Sequence, residues 1–128
     1  MSSRISGLMG NIYRILDSAS SAETYEYALE LDPEHFIYKA HFPGNPITPG
    51  VCIMKMGVEL ASDAIGRKLR LSGARNVKFL QTIVPREGQV LHVSIRKVEI
   101  QGDVCSFQAS VQEDDTVYAR MSLICKMV

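Results

Sequence analysis

The chain has 128 residues, of which 46% are hydrophobic and 22% are charged, proportions that predict one globular domain over residues 1–128. Its 14 basic and 14 acidic residues give a formal net charge of zero, which excludes a nucleic-acid binder held by a broad basic field. No stretch reaches the roughly 20 apolar residues that span a bilayer. The first residues (MSSRISGLMGNIYRI) lack the features of a signal peptide, so we expect a cytoplasmic protein with no membrane partner.

The three cysteines indicate reduced thiols. They are odd in number, lie inside apolar segments and lack the spacing of metal ligands. We therefore expect them to behave as small hydrophobic residues, and we expect neither a metal site nor a resident cofactor.

The N-terminal region predicts two strands, 11–18 and 23–31, joined by a polar turn. In the second strand apolar and polar residues alternate, so one face should be buried. The expected inward residues are Tyr25, Tyr27, Leu29 and Leu31. Residues 32–35 then predict a short helical turn, with Asp32 as N-cap and Pro33 as the first helical residue.

The stretch from His41 to Gly50 (HFPGNPITPG) holds three of the five prolines and two of the nine glycines. Proline lacks a backbone donor, and each residue before a proline avoids the helical region, so the stretch predicts a stiff extended loop that presents His41. The segment 51–65 follows and is apolar almost all round, which predicts a helix enclosed on most sides. Gly66 and the basic pair Arg67-Lys68 suit its C-terminus.

The C-terminal half predicts four strands, near 73–82, 89–100, 103–113 and 116–127. Short polar connections between the later strands are typical of antiparallel hairpins. The pattern therefore predicts the α+β class, with an antiparallel sheet wrapped round one long apolar helix. Long sheet edges of this kind favour pairing with a second copy.

Two stretches resemble a known family. His41 to Val51 (HFPGNPITPGV) closely resembles the active-site loop of the 3-hydroxyacyl-(acyl-carrier-protein) dehydratases, which have the hotdog fold. Residues 76–79 (NVKF) and 83–88 (IVPREG) resemble the family's third strand and the turn after it, and the order of elements agrees over essentially the whole chain. The resemblance implies a homodimer or higher oligomer in fatty-acid or related acyl-chain biosynthesis. Its thioester substrates would be carried by the phosphopantetheine of an acyl carrier protein or by coenzyme A.

The resemblance also implies roles for residues of the loop. His41 would act as general base or acid, since an imidazole titrates near neutral pH. The backbone N–H groups of Gly50 and Val51 would stabilise negative charge on the thioester oxygen, because the first N–H groups of a helix have no partner within it. Phe42 and Pro49 would help to bind the substrate.

One position departs from the family. The family's helix acid, usually Glu, stands fourteen residues after the histidine, and here that position is Lys55. Glu59 lies one helical turn further on, so the pair predicts either a Lys–Glu ion pair at i,i+4 or a wet cavity. Three interpretations stay open. Glu59 or Lys55 could supply the proton. The chain could instead be a non-catalytic or half-site subunit, for example of a heterodimer whose other subunit supplies the acid. Finally, Glu59 could position water in an acyl-thioesterase.

Other polar and reactive residues have weaker patterns. Cys52 is expected to line the acyl tunnel, and His92 is expected at the surface. The densest basic cluster is either a solvated rim or a docking surface for an acidic carrier protein and its phosphate. This cluster consists of Arg67, Lys68, Arg70, Arg75 and Lys78.

Overall fold

The computed structural model describes residues 12–41, 44 and 46–128, without the side chains of Lys39 and His41. Within these ranges the chain forms six strands and two helices. In chain order they are β1 (Tyr13–Ser20), β2 (Thr24–Leu31), α1 (Phe36–His41), α2 (Gly50–Ile65), β3 (Leu69–Phe79), β4 (Leu91–Gln101), β5 (Val104–Glu113) and β6 (Thr116–Met127).

All six strands belong to one antiparallel sheet in the order β1-β2-β4-β5-β6-β3. The long helix α2 packs on one face of this sheet, against β3, β4 and β6. At Gly57 of α2, an added Cβ would lie 3.3 Å from the Cε of Met121 in β6. A helix packed on an antiparallel sheet in this order confirms the predicted hotdog fold of the α+β class.

The strand alternation follows the predicted pattern. In β2, Tyr27, Leu29 and Leu31 face the helix and are buried, while Tyr25 is partly buried. The inward residues of β5 and β6 are buried in the same way, because each lies opposite an inward residue of the neighbouring strand. These residues are Cys105, Phe107, Ala109, Val111, Ala119, Met121, Leu123 and Cys125.

The third strand begins earlier than predicted. It spans Leu69–Phe79 instead of residues 73–82, because Gly73 lies at a register shift inside the strand and does not mark its start. The strand ends before Leu80, whose N–H donates to the carbonyl oxygen of Tyr118 in a connection outside the ladder. The basic residues Arg70 and Arg75 therefore lie on a strand.

The helical turn predicted at residues 32–35 is also displaced. Asp32 accepts a hydrogen bond from the Glu34 N–H at 2.9 Å, so its carboxylate closes a local turn instead of capping a helix. Helix α1 begins only at Phe36.

The expectation that α2 would be enclosed on most sides is only half met. The side facing the sheet is buried, including Cys52, Met56 and Leu60. On the other side Val51 is 59% exposed, because a single chain has one sheet and covers one side of the helix. Among the described residues, no helix is long and apolar enough to cross a membrane.

Candidate active site

The N-terminus of α2 presents two unused backbone donors. Pro49 is the N-cap, in an extended conformation (φ −62°, ψ 145°), and makes no side-chain cap. Its carbonyl oxygen accepts from the N–H groups of Cys52 and Ile53, at 3.0 and 3.2 Å. The N–H groups of Gly50 and Val51 donate to no acceptor in the described part of the chain. They are free to bind an anionic oxygen, and the oxyanion role expected of them stays a prediction.

The Phe79 ring packs against the first turn of α2 at Gly50. A Cβ at this position would lie 2.8 Å from two ring carbons of Phe79. A side chain at residue 50 therefore requires the ring or the helix turn to shift. Phe79 is 47% exposed and lies at the end of β3, next to the edge of the sheet.

The loop before α2 is fixed to the rest of the fold through Thr48, which is 3% exposed. Its N–H donates to the carbonyl oxygen of Ile83 at 2.8 Å, and its hydroxyl lies 3.0 Å from the hydroxyl of Tyr38. These two bonds connect the loop to the β3–β4 connection and to helix α1. They set the direction in which α2 begins.

The β3–β4 connection is itself held by Glu113 at the end of β5. The carboxylate accepts two hydrogen bonds from Arg86, at 2.9 and 2.8 Å. It also accepts from Gln89 at 3.0 Å and from the Tyr118 hydroxyl at 2.8 Å. Hydrogen bonds from Gln89 and Tyr118, together with Arg86, hold the pKa of Glu113 below its usual range. This network fixes the segment whose Ile83 carbonyl anchors Thr48.

The position of His41 differs from the expected one in its backbone. His41 is the last residue of α1, whereas the sequence predicted that it begins an extended loop. The side chain of His41 and the whole of Phe42 lie outside the described residues, so their predicted roles remain predictions.

The polar pair on α2 is arranged differently from the prediction. Glu59 accepts a hydrogen bond of 2.7 Å from the hydroxyl of Tyr13 in β1. Within the described residues, Lys55 and Glu59 make no ion pair with each other. Of the two expected alternatives, an i,i+4 ion pair or a wet cavity, the ion pair is therefore absent, and the described partner of Glu59 is Tyr13. Burial and the bond to Glu59 raise the pKa of Tyr13 far above its usual range, so this donor stays protonated.

Cys52 is buried, with 1% of its surface exposed. Burial raises the pKa of its thiol, and the opposing effect of nearby Lys55 is smaller. A protonated, enclosed thiol is a poor nucleophile, which supports its interpretation as a packing residue.

The predicted basic cluster is divided by the fold. Arg67 and Lys68 lie in the connection after α2, and the other three lie on β3. All five side chains are exposed, and His92 on β4 is exposed as predicted. In the described ranges no three histidine, cysteine or acidic side chains converge in a way that could hold a metal ion.

Sequence reasoning missed four residues that shape the site: Tyr13, Tyr38, Thr48 and Phe79. Each acts across a long sequence separation, so neither its neighbours in sequence nor its periodicity identifies a partner. Phe79 had one available signal, since it belongs to the NVKF stretch that resembles the family.

The chain is similar to known proteins. The model of the family described as "ApeI-like: ApeI dehydratase" matches residues 17–121. A 3-hydroxyacyl-(acyl-carrier-protein) dehydratase FabZ of Lactiplantibacillus plantarum is 29% identical in an alignment of length 121 that covers 85% of this chain and 82% of that protein. The FabZ of Clostridium acetobutylicum is 36% identical in an alignment of length 73 that covers 52% of this chain and only half of the relative's length (50%).

A solved structure shows the same fold. The dehydratase heterocomplex ApeI:P from Xenorhabdus doucetiae contains a chain that is 19% identical, with a TM-score of 0.69, covering 88% of this chain and 96% of that one. The family model covers most of the chain, including the loop before α2 and the whole of that helix. The protein is therefore a member of the ApeI-like dehydratase family.

Proposed function

We propose that the chain is one subunit of a dehydratase for carrier-linked 3-hydroxyacyl thioesters, and that a second hotdog subunit supplies the acid that this chain lacks. In this assembly the chain contributes His41 and the N–H groups of Gly50 and Val51. The observation that carries the proposal is the pair of free donors at the start of α2 in a member of a dehydratase family.

The reaction needs three groups. His41 would take the α-proton, and the electron pair would move toward the thioester carbonyl, whose oxygen gains negative charge. The N–H groups of Gly50 and Val51 would stabilise this charge, and the dipole of α2 adds to the effect. The 3-hydroxyl would then leave as water after taking a proton from an acid, which yields the enoyl thioester.

The acid is the group that this chain does not supply in the family's position. Lys55 lies one turn below Val51, about 6 Å along the helix axis, whereas Glu59 lies two turns below it, about 12 Å. Glu59 also accepts a hydrogen bond from the hydroxyl of Tyr13 in β1. Its carboxylate is therefore badly placed to replace the missing acid at the level of the oxyanion donors.

A second subunit could supply the acid across the sheet edge. Strand β3 is an edge of the sheet, and its unpaired backbone groups can continue the sheet into another chain. Val51, Phe79 and Leu80 expose apolar surface at this edge, at 59%, 47% and 49%. In the hotdog dehydratases that this sequence resembles, the histidine and the helix acid of one site commonly come from different subunits. A related solved complex bears the name of a dehydratase heterocomplex.

Thioester hydrolysis is the weaker candidate. It would need Glu59 to activate water, but this carboxylate is bound to Tyr13.

The thioester substrate of the proposed dehydratase would be presented on the phosphopantetheine of an acyl carrier protein or on coenzyme A. Exposed Arg67 and Lys68 are available to bind phosphate or acidic side chains.

Substitution of Lys55 tests the proposal. Purified wild-type chain, without a second subunit, should form enoyl thioester slowly from a 3-hydroxyacyl thioester, as followed by absorbance of the conjugated product. Lys55→Glu restores a carboxyl group at the family's position and should raise the rate by about 100-fold, a typical contribution of general acid catalysis. Lys55→Gln removes the same positive charge without supplying an acid, so it serves as the matched control and should give no gain.

Equal rates for the wild type and both variants would overturn the half-site proposal. Release of free thiol from an acyl thioester without a 3-hydroxyl would instead indicate hydrolysis. Adding a hotdog subunit that carries the helix acid should raise the rate of the wild-type chain in the same way as Lys55→Glu.

A further inference from the structure

The face of the sheet opposite α2 contains a cavity of about 410 Å³. Cross-strand pairing places polar side chains of four strands in two adjoining rows. In the first row Arg96 is opposite Gln108, and Gln108 is opposite Ser122. In the second row Ser110 is opposite Arg120. Asn76 of β3 completes the first row beside Ser122. The volume lies within the usual range of small-ligand pockets, roughly 300–1,000 Å³. This feature, formed by Asn76, Arg96, Gln108, Ser110, Arg120 and Ser122, is called the outer groove below.

The outer groove has positive charge that no acidic side chain in the described part of the chain compensates. Arg96 and Arg120 are exposed, and none of the residues that line the cavity carries a carboxylate. Within the described ranges, no acidic side chain lies within ion-pair distance of either arginine. Glu26, on the same face, accepts instead from the hydroxyl of Ser94. Two unpaired guanidinium groups over a polar cavity are suited to an anion.

A third cation, Lys78, lies beside Arg120 of the outer groove and adds repulsion between like charges. Lys78 of β3 lies directly opposite Arg120 of β6, and like charges directly opposite each other on a sheet are destabilising. The arrangement therefore costs stability in the isolated chain. A bound anion would offset this repulsion by attracting both cations.

The backbone beside Arg96 is also unusual. The pairing of β4 with β5 shifts register between Arg96 and Glu99, and Lys97 at this bulge has φ 53°. A lysine in the left-handed region is strained, and bulges near binding sites commonly re-aim a neighbouring side chain. Here the bulge follows immediately after the arginine that lines the cavity.

We propose that the outer groove binds the phosphate group of a small-molecule phosphate ester. Arg96 and Arg120 would form charge-assisted hydrogen bonds with the phosphate oxygens. Asn76, Gln108, Ser110 and Ser122 would supply further polar contacts. The sheet separates this site from the start of α2, so it is independent of the proposed dehydratase site.

Calorimetric titration with inorganic pyrophosphate tests the site. The wild-type protein should bind saturably at low salt, and binding should weaken as salt is raised. Arg96→Gln/Arg120→Gln should weaken binding by at least about tenfold, because both charge-assisted contacts are lost. Arg14→Gln/Lys126→Gln also removes two exposed positive charges, but outside the groove, and should bind as the wild type does. Gln108→Glu places a carboxylate in the groove and should weaken binding without removing either arginine.

Three results would overturn the proposal: no saturable binding by the wild type, equal loss in both double variants, or wild-type affinity in Gln108→Glu. Light scattering, which measures the oligomeric state, can give a fourth result that overturns the proposal. If Arg96→Gln/Arg120→Gln changes the oligomeric state while the wild type binds no pyrophosphate, the face is covered by a second copy of the chain instead.

Discussion

The two ends of the candidate site are built in different ways. At the start of α2 the functional groups belong to the backbone, and Pro49, Gly50 and Thr48 fix their direction. One and two turns further along the helix the candidate groups are the side chains of Lys55 and Glu59, and Glu59 is bound by Tyr13 of another element, β1. The backbone end is complete within one chain, whereas the side-chain end depends on what packs against it. The predictions below test this difference.

The largest effect is expected at Gly50. Gly50→Ala places a Cβ 2.8 Å from the Phe79 ring, so the ring or the first turn of α2 must move. Overpacking of this kind costs about 1–3 kcal/mol, and a displacement of about 1 Å at the oxyanion donors can lower turnover by about 100-fold. Urea denaturation and the enoyl-thioester assay measure the two effects.

A second substitution separates the steric cause from other causes. Gly50→Ala/Phe79→Ala removes the clash, so its loss of unfolding free energy should be smaller than the sum of the losses in the two single variants. Strictly additive losses would show that the Phe79 ring is not what excludes a side chain at residue 50.

A smaller effect is expected at Tyr13. Tyr13→Phe removes the hydrogen bond to Glu59 and should lower the free energy of unfolding by about 1–2 kcal/mol. Tyr27→Phe is the matched control, because Tyr27 is also a buried strand tyrosine that donates to α2, at Asp63 and the Leu60 carbonyl. The two variants should lose similar stability, and both should keep turnover close to the wild type. A selective loss of turnover in Tyr13→Phe would mean that Glu59 acts on the substrate.

The smallest effect concerns pH and the Glu113 network. The pKa of Glu113 is lower in the folded chain than its usual value. As pH falls, Glu113 therefore takes up a proton at a higher pH in the unfolded chain than in the folded chain. The contribution of Glu113 to stability is present above the usual glutamate pKa of about 4.3 and is lost as pH falls below it. Glu113→Gln should show a shallower loss of thermal stability between about pH 5 and 3. An identical pH profile in variant and wild type would contradict the ionic role of this carboxylate.

Much of the fold could be predicted from the sequence because it depends on local patterns. Alternation in β2, β5 and β6 identified the buried residues, and the prolines and glycines between His41 and Gly50 identified where α2 begins. The start of β3 was misplaced because Gly73 is accommodated at a register shift, which pairing with β6 decides. Of the two expected alternatives for Lys55 and Glu59, the ion pair is absent among the described residues, where Tyr13, 46 residues away from Glu59 in sequence, binds the carboxylate instead. A partner at that distance leaves no local pattern.

The most direct measurement of the central claim follows the loss of water from a 3-hydroxyacyl thioester in the presence of this chain and a hotdog subunit that supplies the helix acid. The wild-type chain should give the enoyl thioester. His41→Ala, which removes the general base, should lower the rate by at least about 100-fold. Full activity of His41→Ala in the same assembly would contradict the account, because the site would then work without the residue on which it is built.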